Sequence, residues 1–227
     1  MAMPALLFDL DGTLVDSARD IARALSMLLN DRGASPIDVA DVRPLVSKGA
    51  STLVRVGLGK AARDPASDLE EFRAILNSLE PDPSMVYAGA REALSSFADG
   101  GVKMAIVTNK PENLARTLLD ALDLSSFFIT VVGGDTTSFS KPDAMPLRCA
   151  IDAMDLHDEA VCLIGDSAVD ALAARAAGVS FILFGGGYGL DECEQACVTA
   201  RFDRFDSLHA LIGTWSKTTR PYAANSR

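Results

Sequence analysis

The stretch Ala5-Leu-Leu-Phe-Asp-Leu-Asp-Gly-Thr13 decides the reading of this chain. Ala5 to Phe8 is a short apolar run of strand type, and it ends on Asp9, with Asp11 and Gly12 close behind. In an open parallel α/β sheet, ligands bind in the crevice outside the carboxyl ends of the strands. Three later stretches carry polar residues suited to the same place. They are Thr108-Asn109 after Met104–Val107, Lys141-Pro142, and Gly165-Asp166-Ser-Ala-Val-Asp170 after Val161–Ile164. Residues far apart in sequence would then meet at one sheet edge. Together they hold a nucleophile, an acid/base, a metal site and a phosphate clamp, which points to phosphoryl transfer.

Working outward, the pattern changes after residue 16. Ser17 to Arg32 reads as a helix with Ile21, Leu25, Leu28 and Leu29 on one face, and Ser17 with Asp20 resembles a capping box. Asp38–Val46, Ser51–Gly57 and Leu69–Leu79 read as further helices, and no strand-like run interrupts residues 17–80. Pro81 and Pro83 mark a boundary. Beyond it, helices at Gly89–Ala98, Pro111–Leu122, Met145–Met154 and Ala168–Ala177 alternate with strands. Those strands are Lys103–Thr108, Phe128–Val132, Ala160–Ile164 and Ser180–Phe184. A last helix is expected near Ser207–Ile212, followed by a polar, frayed tail over 216–227. The βα rhythm argues a parallel, doubly wound sheet. The expected domains are a discontinuous core, 1–16 and 81–227, and a helical insert, 17–80.

Bulk properties narrow the class. The 227 residues, 48% hydrophobic and 23% charged, suit one globular domain or a domain with an insert. No apolar run approaches membrane-span length, and the start lacks a basic signal region and is stopped by Asp9, so neither membrane association nor a signal peptide is expected. Cys149, Cys162, Cys193 and Cys197 show no zinc-type spacing, and the expectation is reduced thiols in a cytoplasmic protein. A net charge of −10 without a basic patch argues against a nucleic-acid partner. An anionic substrate must instead be attracted by a cation or a few placed basic groups.

Each motif also has an ordinary structural reading. Asp-Gly between apolar residues fits a hairpin turn, while paired carboxylates at a strand end fit a phosphorus nucleophile and an acid/base. Thr108 can simply end a strand, or donate its hydroxyl to phosphate. Lys141 can be an exposed lysine before a proline, or a fixed charge that neutralises a phosphoryl group. Asp166 or Ser167 can cap a helix, while Asp166 is also a hard oxygen ligand for Mg²⁺. Asp170, one turn on, can orient a metal-bound water or Lys141. His157 and His209 lack any Ser/His/Asp context, and Gly185-Gly-Gly-Tyr-Gly189 lacks the Walker lysine and the dinucleotide spacing.

The four motifs in this order resemble those of the haloacid dehalogenase-like superfamily. Gly101–Pro111, Val131–Asp135, Ser140–Pro142, Gly165–Gly178 and Ser47–Leu53 are similar to its phosphoglycolate phosphatase branch. Ala88 and Ala144 stand where the family often has proline, and the presence of Asp11 separates the chain from dehalogenases and phosphonatases. The resemblance implies an α/β fold, a doubly wound parallel Rossmann-like sheet with an inserted all-helical cap domain. It implies a Mg²⁺-dependent phosphatase of a small phosphorylated metabolite. Asp9 would attack phosphorus and Asp11 would serve as acid and base. Mg²⁺ would sit on the Asp9 carboxylate, the Asp11 carbonyl and Asp166. Thr108 and Lys141 would bind phosphoryl oxygens, helped by backbone N–H groups near Gly12 and Asn109. A β-phosphoglucomutase-type mutase and a non-catalytic regulator are the rival expectations. Lys48 in the insert reads either as a solvated lysine or as a contact to a second negative group of the substrate, which would suit 2-phosphoglycolate.

Overall fold

The computed structural model describes residues 3–156, 159–189 and 198–215. Its strands are β1 (Ala5–Phe8), β2 (Met104–Val107), β3 (Thr130–Val132), β4 (Val161–Gly165), β5 (Ser180–Phe184) and β6 (Ala200–Phe202). They form one six-stranded sheet in the order β3-β2-β1-β4-β5-β6, and every neighbouring pair is parallel. The central runs ALLF, MAIV and VCLIG are buried throughout, as expected of parallel strands covered on both faces. Alternate side chains of β1 serve opposite layers. Leu6 and Phe8 join one apolar cluster, Ala5 and Leu7 the other.

The helices are α1 (Ala18–Asp31), α2 (Val39–Val46), α3 (Ala50–Leu58), α4 (Pro65–Ser78), α5 (Ala90–Asp99), α6 (Glu112–Ala121), α7 (Met145–Ala153), α8 (Ala168–Ala177) and α9 (Leu208–Trp215). Helices α5, α6 and α9 cover the Phe8 side of the sheet, and α7 and α8 cover the Leu7 side. The strand order reverses between β1 and β4, so the crevice for a ligand opens at the carboxyl ends of those strands.

Helices α1 to α4 pack on one another around a separate cluster of Ile21, Leu25, Leu28, Val42, Leu53 and Phe72, among others. The two chain crossings that join them to the sheet run side by side. Asp16 N–H donates to the Met85 carbonyl at 2.7 Å and Tyr87 N–H to the Leu14 carbonyl at 3.0 Å, around an antiparallel bridge from Val15 to Val86.

Several local expectations are corrected. Ser17 makes no side-chain cap and already has helical angles, so the Ser17–Asp20 pattern is not a capping box. Helix α4 begins at Pro65 rather than near residue 69, because Asp64 accepts the Ser67 N–H at 2.9 Å and proline is favoured in a first turn. The three-residue strand β6 carries too little pattern to be read from sequence, with Phe202 its one buried side chain. Helix α9 extends to Trp215. Cys162 is buried, Cys149 is half-buried, and both are free. Cys193, Cys197, His157 and residues 216–227 lie outside the described residues. Among those described, no helix is long and apolar enough to cross a membrane.

Leu25 is fully buried, and α3 approaches it so closely that a Cβ on Gly57 would lie 2.8 Å from its Cδ1. Helices held at that spacing cannot collapse freely into a void. Leu25→Ala is therefore expected to lose about 2–5 kcal/mol in urea denaturation. A loss under about 1 kcal/mol would show that α1 and α3 relax toward each other.

Candidate active site

The crevice gathers residues from three strand ends and one loop. Asp9 follows β1, and its N–H donates to the Ile164 carbonyl of β4 at 2.9 Å. Thr108 follows β2, tied by its N–H to the Val132 carbonyl at 2.9 Å. Asp166 follows β4, and Asp170 lies in the first turn of α8. Lys141 comes from the loop between β3 and α7 rather than directly from a strand end. Asn109 fixes that loop, its Nδ2 donating to the Lys141 carbonyl at 2.9 Å.

Lys141 is buried and its Nζ lies 2.9 Å from Asp9 Oδ1 and 2.6 Å from Asp170 Oδ1. Burial pulls this ammonium toward the neutral form, but the Asp170 and Asp9 charges outweigh it and hold its pKa above the ordinary lysine value. The other Asp170 oxygen, Oδ2, accepts from Ser167 Oγ at 2.6 Å and Ser167 N–H at 3.2 Å. Asp170 is thus held by its own helix N-terminus while it holds the lysine.

Asp9, Asp166 and Asp170 are all buried, and each offers a carboxylate oxygen within 4.8 Å of the others. Burial, with the Asp170 charge adding, pushes the Asp9 carboxyl up to about 6 against the pull of Lys141. Burial and the Asp170 and Asp9 charges also raise Asp166 well above the usual carboxylate range. Asp9 Oδ1 has Lys141 Nζ at 2.9 Å as its polar neighbour and no other hydrogen-bond partner, so it keeps lone-pair capacity for a ligand. Three buried carboxylates against one lysine is a donor set short of positive charge. Hard oxygens in that excess suit a divalent cation such as Mg²⁺.

Asp166 is aimed by two contacts that sequence reasoning missed. Thr13 Oγ1 donates to its Oδ1 at 3.1 Å and Tyr188 N–H donates to its Oδ2 at 2.6 Å. The glycine-rich loop after β5, read from sequence as a turn, exists to make that approach. A Cβ on Gly187 would stand 2.2 Å from Asp166 Cβ and 2.4 Å from the Gly12 carbonyl. Gly12, at φ +88°, is equally constrained, since its Cβ would meet Asp166 Oδ2 at 2.5 Å. The Tyr188 hydroxyl donates to Asp16 Oδ1 at 2.6 Å, and Arg43 of α2 pairs with Asp16 Oδ2 at 2.6 Å.

The remaining sequence candidates are distributed unevenly. The Asp11 carboxylate stays outside the buried carboxylate group and pairs with Lys110 Nζ at 3.1 Å. Thr108 Oγ1 accepts the Lys110 N–H at 3.2 Å. Asp9, Asp11, Thr108, Asn109, Lys141 and Asp170 line one cavity, which the insert closes from above with Val46, Ser47, Gly49, Leu53, Arg73 and Leu76. Lys48 is exposed and absent from that lining, although Ser47 and Gly49 on either side belong to it.

Residues 6–184 match the family model for haloacid dehalogenase-like hydrolases. A phosphoglycolate phosphatase of Rhodospirillum rubrum is 38% identical over 219 residues, covering 92% of this chain and 90% of its own length. One from Cereibacter sphaeroides is 38% identical over 215 residues, covering 92% of this chain and 98% of its own. The crystal structure of a predicted phosphoglycolate phosphatase from Haemophilus somnus superposes with a TM-score of 0.81 at 23% identity, covering 92% of this chain and 97% of that one. This last likeness concerns the fold.

The carboxylate cluster makes a prediction that does not depend on turnover. Mg²⁺ at a hundred times its dissociation constant is expected to stabilise the protein by about 2.7 kcal/mol, read as a rise in Tm. Asp166→Ala should abolish the rise, and Gly187→Ala should weaken it by displacing Asp166. A Tm that ignores Mg²⁺ in the unaltered protein would remove the cation from this site.

Proposed function

This chain belongs to the haloacid dehalogenase-like hydrolases, and we propose that it is a Mg²⁺-dependent phosphatase acting on a small phosphate monoester, 2-phosphoglycolate foremost. The observation that carries this reading is the buried Lys141 ion-paired to Asp9 at the floor of a cavity roofed by the insert. The names of the relatives add the substrate class.

In this reading Asp9 is the nucleophile. One of its oxygens forms a bond to phosphorus while the ester P–O bond breaks, giving an aspartyl-phosphate. Lys141 and Thr108 hold the phosphoryl oxygens, and Lys141 also keeps Asp9 in its ionised, attacking form. Asp170 fixes the position of Lys141. Mg²⁺ would be held by the Asp9 carboxylate, the Asp11 carbonyl and Asp166, and would add positive charge against the phosphoryl oxygens. The Asp11 carboxyl protonates the departing alkoxide, then takes a proton from the water that attacks phosphorus and frees Asp9. For this Asp11 must exchange its Lys110 partner for the ester oxygen. The transition state is loose, so positioning and charge neutralisation supply most of the acceleration. Residues 17–80 act as a cap that excludes water and selects the alcohol.

Asp9→Asn keeps the size of the side chain and removes its anionic oxygen. Loss of activity on the order of 10⁴-fold is expected with the circular-dichroism spectrum unchanged. A folded variant with more than about a tenth of normal turnover would overturn the covalent assignment.

Asp11→Asn should affect the first step according to the leaving group. In single-turnover measurements an alkyl phosphate, whose alkoxide needs the proton, should slow far more than p-nitrophenyl phosphate. Equal slowing of the two would argue against Asp11 as the acid.

A further inference from the structure

One wall of the cavity carries a cation that the mechanism does not use. Arg73 lies on α4, between Phe72 in the core of the insert and a stretch that leads to Leu76. All three residues line the cavity that also contains Asp9, Thr108 and Lys141. The Arg73 side chain is half-buried, and its Nε is fully enclosed without a hydrogen-bond partner. Among the described residues it makes no ion pair either.

Arg32 also encloses an unpartnered Nε, but its terminal nitrogens are paired, and the other described arginines are partnered or exposed. Arg32 pairs with Asp68 and Glu71, Arg43 with Asp16, and Arg116 with Glu112. Those without a side-chain partner among the described residues, such as Arg19, Arg23, Arg55 and Arg148, are exposed and have water. A guanidinium stays charged in a protein, and enclosing part of it unpaired is costly. In a chain of 31 acidic and 21 basic residues, a carboxylate partner was available and none is placed there.

We propose that Arg73 is a specificity-determining residue whose guanidinium binds a carboxylate of the substrate while Lys141 and Thr108 hold its phosphoryl group. The planar fork of arginine matches a carboxylate through two parallel hydrogen bonds. The apolar residues Leu53, Leu76, Pro111 and Leu114 of the same lining offer no competing anionic partner. The substrate is therefore a phosphate monoester with a carboxylate a few bonds from the ester oxygen. This rests on the phosphatase reading above and transfers the second-anion role from the exposed Lys48 to Arg73.

The test compares 2-phosphoglycolate with ethyl phosphate, which has the same heavy-atom chain without the carboxylate, and with p-nitrophenyl phosphate. Arg73→Ala is expected to lower kcat/KM for phosphoglycolate about 10- to 150-fold, the span of a charge-assisted hydrogen bond, mainly through KM. Ethyl phosphate and p-nitrophenyl phosphate should change less than about threefold. Retained aryl phosphatase activity certifies the fold and the catalytic groups. Arg73→Lys should restore only part of the preference, because it returns the charge without the fork. If Arg73→Ala slows all three substrates alike, or if Lys48→Ala and not Arg73→Ala removes the preference, the assignment falls while the phosphatase reading stands. If the unaltered protein hydrolyses p-nitrophenyl phosphate but prefers ethyl phosphate to phosphoglycolate, the substrate reading itself fails and takes Arg73's role with it.

Discussion

The ion pairs of Lys141 are the constraint on which the site is built. One ammonium lies 2.9 Å from Asp9 and 2.6 Å from Asp170, in a crevice where Asp166 adds a third buried carboxylate. Like charges enclosed together oppose ionisation, which is why Asp9 and Asp166 sit above their ordinary range even with the lysine present. Such a cluster is costly to the fold, and removal of one partner from a buried pair commonly costs about 3–5 kcal/mol. The sheet tolerates it because the strands beneath are apolar and buried throughout. The polar residues occupy only their ends, at the place where the strand order reverses.

Rigidity at the carboxylates comes from backbone proximity more than from side-chain packing. Gly12 and Gly187 close on Asp166 from two loops, and a methyl group at either would displace it. The residue after Gly187, Tyr188, holds Asp166 through its N–H and Asp16 through its hydroxyl. Asp16 stands where the chain leaves the sheet and also binds Arg43 of α2. A continuous path of charged and hydrogen-bonded groups therefore joins the metal-type cluster to the insert. The chain crossing beside it is pinned by the Val15–Val86 bridge.

Much of this was legible in the sequence because the relevant elements repeat a simple pattern. Uninterrupted apolar runs such as MAIV end on polar residues, and that alone places Thr108 and Asp166 at one edge. The helical face of Ile21, Leu25 and Leu28 was equally plain, with the 3.6-residue period of a half-buried helix. What escaped notice lacked periodicity. Strand β6 is three residues long. Ser17 followed the letters of a capping box, but its backbone had already turned helical, and packing rather than a side-chain bond starts α1. The roles of Thr13, Lys110, Tyr188 and Arg43 depend on approaches between segments up to 172 residues apart. No local pattern encodes such approaches. The glycines of the loop after β5 offered a clue, since four of five residues lacking a side chain often marks a backbone that must come close to something.

Lys48 and Arg73 show the same limit from the functional side. A lysine beside a glycine in an acidic chain attracts attention as a rare charge, whereas an arginine in the middle of a helix reads as ordinary surface. Burial reverses the weighting. A charge exposed to solvent, as on Lys48, is screened and adds little to recognition, while an enclosed guanidinium nitrogen without a partner has something to gain from an anion. The carboxylates and Lys141 come from the sheet edge, while α2, α3 and α4 supply much of the facing wall of the cavity, beside Ile21 of α1 and Pro111, Leu114 and Val169 of the core. Under the proposed function, phosphoryl chemistry and choice of alcohol would therefore reside largely on different parts of the chain. Under that proposal, substitutions on α4 are expected to alter which ester is accepted without disturbing the carboxylates and lysine that would act on it.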